Sequence, residues 1–217
     1  MLEAKGIQKS YGQLPVLKNI DLRVAKGEIV AIVGASGAGK STLLHILGTL
    51  DTPDNGKVFI NQQDVFSQSS KNIAAFRNRS IGFVFQFHNL LPEFSAIENV
   101  MIPGFIAGKK EDELHKKAGE LLGMLGLNNR LHHKPSELSG GEQQRTAVAR
   151  ALINSPTMIL ADEPSGNLDS KNAVELHDLF FKLRKDLGQT FIIVTHNPDL
   201  SRMADRRVEI RDGQIQQ

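Results

Sequence analysis

The chain has no cysteine, no tryptophan and a single tyrosine. Without cysteine there can be no disulfide, thiolate metal site or cysteine nucleophile, and a reducing compartment is permitted. Long apolar runs are also missing. The longest, such as "IVAIV" and "FIIV", fall far short of the roughly 20 residues that a spanning helix needs, and the N-terminus "MLEAKGIQKSYG" lacks an apolar signal core. The chain is therefore expected to be soluble and to act at a membrane only through a partner. Neither sign of charge dominates: 26 basic against 24 acidic residues leave a formal net charge of +2, which gives no support to a nucleic-acid surface. No internal repeat, low-complexity tract or linker-like run is visible. With 217 residues and 40% apolar content, the chain suits one domain with a substantial core.

What is present is an α/β rhythm. "EIVAIV" (Glu28 to Val33), "TMILA" (Thr157 to Ala161) and "FIIVT" (Phe191 to Thr195) are continuous apolar runs, the pattern of parallel strands buried on both faces. Helical spacing separates them: Leu43, Leu44, Ile46, Leu47 and Leu50 follow the first, and Leu176, Leu179, Phe180, Leu183 and Leu187 precede the last. "DLRVAKGEIV" and "GKVFINQQDV" alternate and carry turn residues, which reads as an antiparallel sheet against that core. From Phe87 to Ile153 the pattern is mainly helical, with Leu114, Ala118, Leu121, Leu122 and Leu125 on one stripe. The fold class expected is α/β: a parallel-sheet core over 1–86 and 154–217, an antiparallel β-subdomain, and an inserted helical subdomain over 87–153.

The strongest chemical signal is "GASGAGKS", comprising Gly34, Ala35, Ser36, Gly37, Ala38, Gly39, Lys40 and Ser41, followed by Thr42. It matches the phosphate-loop pattern and lies directly after a strand and before a helix, as that pattern requires. The glycines let the backbone turn so that successive N–H groups and the helix N-terminus face the β-phosphate. Lys40 is expected to reach the β- and γ-phosphates, and the Ser41 hydroxyl to ligate Mg²⁺. In "MILADEP", Asp162 ends an apolar strand, where it can hold Mg²⁺ through water, and Glu163 can orient and deprotonate an attacking water. Taken alone, Glu163 could instead be a strand-end acid in a surface ion pair.

A second glycine-bearing turn, "ELSGGEQQR" from Glu137 to Arg145, stands 99 residues after Lys40 when counted to Ser139, on the helical insertion. Its position makes it a poor partner for the phosphate loop of its own chain. "LSGGEQQR" closely resembles the signature motif of ATP-binding-cassette (ABC) ATPases, and the resemblance covers essentially the whole chain with the motifs in the family's order. It implies the P-loop NTPase (RecA-like) fold, ATP with Mg²⁺ as cofactors, and ATP hydrolysis by two copies facing head to tail. On that match Ser139, Gly140 and Gly141 cap the ATP held by the other copy, and Gln86 senses Mg²⁺ and the water. Asp169, in "NLD", lies on the loop that crosses between subunits, and His196, in "VTH", faces the γ-phosphate. Tyr11 stands where the family places an aromatic under adenine, although alone a tyrosine near a strand end would more often be packing.

The remaining histidines and charge runs carry less. His132 and His133 precede Lys134 and Pro135 in a loop-like stretch and read as a solvated turn, His45 and His177 as structural or exposed, and "GKKEDELHKK" as a solvated helix start. Ser165 stands where the family usually has Thr, and the hydroxyl is kept.

Within the family, the stretch "FQFHNLLPEFSAIENVMIPGFIAG" resembles the lipoprotein-releasing branch, whose ATPases bind cytoplasmic loops of integral inner-membrane permease subunits. Efflux or mechanotransmission ATPases of the same branch are the alternative. Soluble DNA-repair or translation members are disfavoured, since there is no room for a coiled coil or second cassette, and a non-hydrolysing regulator is opposed by Glu163 and His196. Pro92 favours an exposed turn. Leu90, Leu91 and Phe94 are therefore expected to line a groove for a short helix of the membrane subunit, while a helical subdomain can bury Ile97 and Val100.

Overall fold

In the computed structural model, which describes residues 1–216, the chain opens with an antiparallel pair, β1 (Leu2–Tyr11) and β2 (Leu14–Val24). Strand β3 (Ile29–Val33) leads into helix α1 (Lys40–Leu47), then the hairpin of β4 (Asn55–Ile60) and β5 (Gln63–Asp64), helix α2 (Ser70–Ser80) and strand β6 (Ile81–Phe85). Three helices follow, α3 (Ala96–Ile106), α4 (Glu111–Met124) and α5 (Gly140–Leu152). The chain then alternates β7 (Met158–Asp162), α6 (Ser170–Leu187), β8 (Thr190–Val194) and α7 (Pro198–Met203), and ends in the hairpin β9 (Arg206–Arg211) and β10 (Gln214–Gln216).

Two sheets result, a four-stranded one in the order β2-β1-β4-β5 and a six-stranded one in the order β10-β9-β3-β8-β7-β6. In the larger sheet β9, β3, β8, β7 and β6 run parallel, with β10 antiparallel at the edge. Every residue of β3 and β8 is buried, as continuous apolar runs demand of strands covered on both faces. Alternate residues serve two cores. Ile192, Val194, Met158 and Leu160 pack with α1 and the antiparallel sheet, whereas Phe191, Ile193, Ile159 and Ala161 pack with α3, α4, α5 and α6.

The α4 stripe is buried throughout, including Leu125 just past the helix end. Leu50 and Leu187, counted on helix faces from spacing, instead remain 46% and 49% exposed. Each sits at the end of its periodic run: Leu50 lies beyond the last turn of α1, and Leu187 closes α6 ahead of the left-handed Gly188. Strand β6 has no counterpart in the sequence reading. "IGFVF" is short and contains Gly82, where a Cβ would stand 2.6 Å from the carbonyl oxygen of Ala151, so the glycine lets α5 lie directly on the strand.

Candidate functional site

The parallel register decides where the site lies. Phe85 is level with Asp162, Asp162 with Val194, and Ile32 with Val194. The residues that follow these strand ends, Gly34 to Ser41, Gln86, Glu163 and His196, therefore leave the sheet at one carboxyl edge, the edge at which ligands bind in open α/β sheets.

There the loop after β3 forms one wall of a cavity of about 410 Å³. Ser36, Gly37, Gly39, Lys40, Ser41 and Thr42 line it, with Glu163 and His196 opposite and the apolar Leu14 and Val16 of β2 to one side. Gly34, at φ 148°, passes so close to β9 that a Cβ would overlap the carbonyl oxygen of Ile210, at 2.1 Å. Gly34 and Ala35 face this edge through their carbonyls, which accept from the buried Lys40 ammonium at 3.0 and 2.9 Å. Ala38, within the loop, is buried.

The Ser41 hydroxyl donates to Asp162 Oδ1 at 3.2 Å. This hydroxyl and carboxylate suit Mg²⁺, a hard cation that takes one or two protein oxygens and draws its other ligands from phosphates and water. Among the described residues no group of His, Cys, Asp or Glu forms a self-sufficient metal cluster.

Glu163 stands in a left-handed conformation, φ 46°, that few non-glycine residues adopt. Its N–H donates to the Val194 carbonyl at 2.9 Å, which anchors the turn to β8. Oε2 accepts from the His196 backbone N–H at 3.1 Å, and Oε1 lies 3.3 Å from His196 Nε2, buried and without a well-directed hydrogen bond. Burial raises the Glu163 carboxyl above the ordinary range, and the neighbouring Asp162 adds to this, while His196 and Lys40 pull the other way. A carboxylate so raised is a better proton acceptor.

Gln86 and Asn167 clasp each other: Gln86 Nε2 donates to Asn167 Oδ1 at 2.9 Å, and Asn167 Nδ2 to the Gln86 carbonyl at 3.2 Å. Asp169 caps α6, accepting from Asn172 N–H at 2.8 Å. Tyr11, at the end of β1, is half-exposed; its hydroxyl donates to Asp51 Oδ2 at 2.6 Å, and Lys9 donates to Asp51 Oδ1 at 2.8 Å. Burial opposes ionisation of Asp51, yet the hydrogen bonds from Lys9, Tyr11 and Thr52 together hold its carboxyl below the usual range.

Ser139, Gly140 and Gly141 do not line this cavity. Ser139 caps α5 in a reciprocal box: its Oγ accepts from Glu142 N–H at 3.3 Å, and Glu142 Oε2 accepts from Ser139 N–H at 2.8 Å. Arg130 Nε donates to Glu142 Oε1 at 2.8 Å and is the main reason that carboxyl is brought down to about 2. Gly141 is buried against Asn172 of its own chain.

Sequence reasoning missed Asp51 and Arg130, because neither belongs to a contiguous motif and each acts across the fold. His177, taken as structural or exposed, is buried, with Nε2 3.1 Å from Ser165 Oγ.

Leu91 and Phe94 are exposed at the turn around Pro92, which Asn99 pins to α3 through hydrogen bonds with Leu91, Phe94 and Ser95. Ile97 and Val100 are core. A separate concavity of about 440 Å³ is lined by Leu50, Phe83, Phe85, Pro103 and Ile106, with Arg77, Asn78, Arg150 and Asn154 among them. Among the described residues no helix is long and apolar enough to cross a membrane.

Comparison with known proteins places this geometry in context. The family described as "ABC transporter" matches residues 17–166. The "Lipoprotein-releasing system ATP-binding protein LolD" of Bacteroides thetaiotaomicron is 60% identical over 215 residues, covering 99% of each chain. The protein of the same name from Porphyromonas gingivalis is 57% identical over 213 residues, covering 98% of this chain and 97% of its own. Among solved structures, the ATP-binding cassette MJ0796, dimeric in a post-hydrolysis state bound to ADP and Pi, superposes with a TM-score of 0.90 at 40% identity, covering 100% of this chain and 97% of that one.

Proposed function

The chain belongs to the ABC transporter family, and from that premise we propose that it is the ATP-hydrolysing subunit of a lipoprotein-releasing system. In this reading it lies peripherally on the cytoplasmic face of the inner membrane, bound to integral permease subunits of the LolC/LolE kind, and never touches the lipoprotein itself. The observation that carries the reading is the single carboxyl edge on which the phosphate loop, Gln86, Asp162, Glu163 and His196 converge. The end-to-end identity with lipoprotein-releasing relatives supports the choice of cargo.

The proposed roles follow from position and chemistry. The ATP phosphates displace the Gly34 and Ala35 carbonyls as partners of the Lys40 ammonium, while the loop N–H groups and the start of α1 bind the β-phosphate. Ser41 and Asp162 would hold Mg²⁺, which supplies charge neutralisation to the phosphate oxygens. Glu163 accepts the proton of the attacking water, with its Oε2 held by the His196 backbone N–H. Tyr11, braced by Asp51, offers its ring to adenine. Ser139 and the N-terminus of α5 lie away from their own cavity and are free to meet the γ-phosphate on a second copy, in a head-to-tail dimer. The groove with Phe83, Phe85 and Ile106 along it receives the permease.

The test is reconstitution of the full-length protein with its permease subunits in vesicles that carry a labelled lipoprotein. ATP-dependent release is expected with the wild type. With Ile106→Asp, release and co-purification of the permease are expected to be lost while ATP binding by the isolated subunit remains. Release without any dependence on ATP, or a complex that hydrolyses ATP and never releases lipoprotein, contradicts the assignment.

A further inference from the structure

The helix that begins at Ser139 also reaches the catalytic edge of its own chain. Gln144, the fifth residue of α5, is fully buried, and a buried carboxamide needs partners for both its N–H groups and its carbonyl. All of them come from the end of β6 and from the loops that follow β6 and β7. Nε2 donates to the Pro164 carbonyl at 2.7 Å and to the Phe85 carbonyl at 3.3 Å, and Oε1 meets Nδ1 of His88. Pro164 directly follows Glu163, Phe85 directly precedes Gln86, and His88 stands two residues beyond Gln86.

Further along the same helix, the Arg150 guanidinium donates to the carbonyls of His88 and Asn89, at 2.7 and 2.6 Å. The Gln86 loop is thus held by α5 on its far side as well. On the near side the mutual hydrogen bonds of Gln86 and Asn167 join it to the loop after Glu163.

We propose that Gln144 is a positioning residue for ATP hydrolysis: its carboxamide fixes the backbone beside Gln86 to the backbone beside Glu163, and ties both to the helix that carries Ser139. The proposal rests on the reading of Gln86 and Glu163 given above. Its consequence is that a displacement of the signature helix carries the backbone beside those two side chains with it, because the Gln144 carboxamide that joins them to α5 is fully buried and has no water to exchange for these partners.

The side-chain chemistry makes this testable. In Gln144→Glu an ionised carboxylate of nearly the same shape faces two carbonyl oxygens with no proton to give. When protonated it regains one donor. The mutant-to-wild-type ratio of kcat should therefore be lowest at high pH and recover as pH falls, a dependence that a packing defect would not produce. Gln144→Asn keeps both groups but ends one methylene short, and is expected to fold while failing to reach.

The measurement is steady-state ATPase of the full-length protein from pH 6 to pH 9, with nucleotide affinity and thermal unfolding measured on the same preparations. Misplaced catalytic groups predict a kcat reduced by about 10- to 100-fold in both variants with KM for ATP changed by less than about threefold. A kcat within about twofold of wild type in folded Gln144→Asn overturns the proposal, as does a Gln144→Glu ratio that is flat with pH. Glu163→Gln, run alongside, separates the two levels of the argument: normal turnover in that variant refutes the role of Glu163, whereas its loss together with an unaffected Gln144→Asn refutes the positioning role alone.

Discussion

Replacing Glu163 by Gln removes one proton-accepting group and changes little else. Oε2 now accepts from the His196 backbone N–H, and an amide oxygen can do the same. Oε1 is buried, lacks a well-directed hydrogen bond and faces His196 Nε2 at 3.3 Å, so an amide nitrogen there meets a ring nitrogen able to accept. Burial disfavours the charge that the substitution deletes, and thermal stability should be unchanged or slightly higher. ATP affinity should stay within about 1 kcal/mol, since general-base action is needed only in the transition state. The chemical step should slow by about 100- to 10,000-fold, the range for loss of a positioned base. That corresponds to about 2.7 to 5.5 kcal/mol of barrier.

Single-turnover release of phosphate from pre-bound ATP reads that step directly, and its pH dependence gives a second check. The Glu163 carboxyl is raised in the folded protein, so its ionised, basic form is lost as pH falls through a value above the ordinary glutamate range. Wild-type activity should fall with it, and the variant's residual rate should not. A variant that binds ATP normally and turns over within about tenfold of wild type, or one that retains the wild-type acid limb, would refute the assignment.

Two further outcomes are expected. Lys40→Ala should weaken ATP binding as well as slow turnover, because a cation-assisted hydrogen bond of about 1.5 to 3 kcal/mol is removed before any chemistry starts; titration with a fluorescent nucleotide showing unchanged affinity would exclude Lys40 from the phosphate site. Phe180→Ala should cost about 3 to 5 kcal/mol of unfolding free energy by denaturant titration, since Phe180 is fully buried with its ring 5.0 Å from that of Phe191.

How much of this was legible in the sequence depended on whether an element is local. "GASGAGKS" and "MILADEP" could be read because one loop and one strand end must hold their reacting groups in adjacent positions. The buried strands β3, β7 and β8 were visible within a residue, since full burial leaves an uninterrupted apolar run. Strand β6 was not visible, because its glycine serves the approach of α5 rather than the strand itself. Asp51 and Arg130 gave no local signal, their partners lying 40 and 12 residues away, and Gln144, although inside the signature motif, has its partner Pro164 20 residues away, so its role could not be read from the motif. The exposed turn at Pro92 is legible because proline breaks a regular helix, whereas its pinning by Asn99 and the separate concavity between α2, α3, α5 and β6 depend on contacts between elements.

The central claim is that each ATP is hydrolysed between the phosphate loop of one copy and the signature turn of another. Heterodimers carrying Lys40→Ala and Ser139→Ala test it most directly. Ser139→Ala is preferred to a change at Gly141, where any side chain would meet Asn172 of the same chain. With both changes in one subunit opposite a wild-type copy, a site shared between copies leaves no intact site. With the changes divided between the two subunits, both lesions fall on one site and the other is whole. The account predicts higher ATPase activity per heterodimer in the divided arrangement. Higher activity when both changes share one subunit would show that the signature turn serves the nucleotide of its own chain, and equal, non-zero activities would contradict the account by showing that Ser139 contributes to neither site.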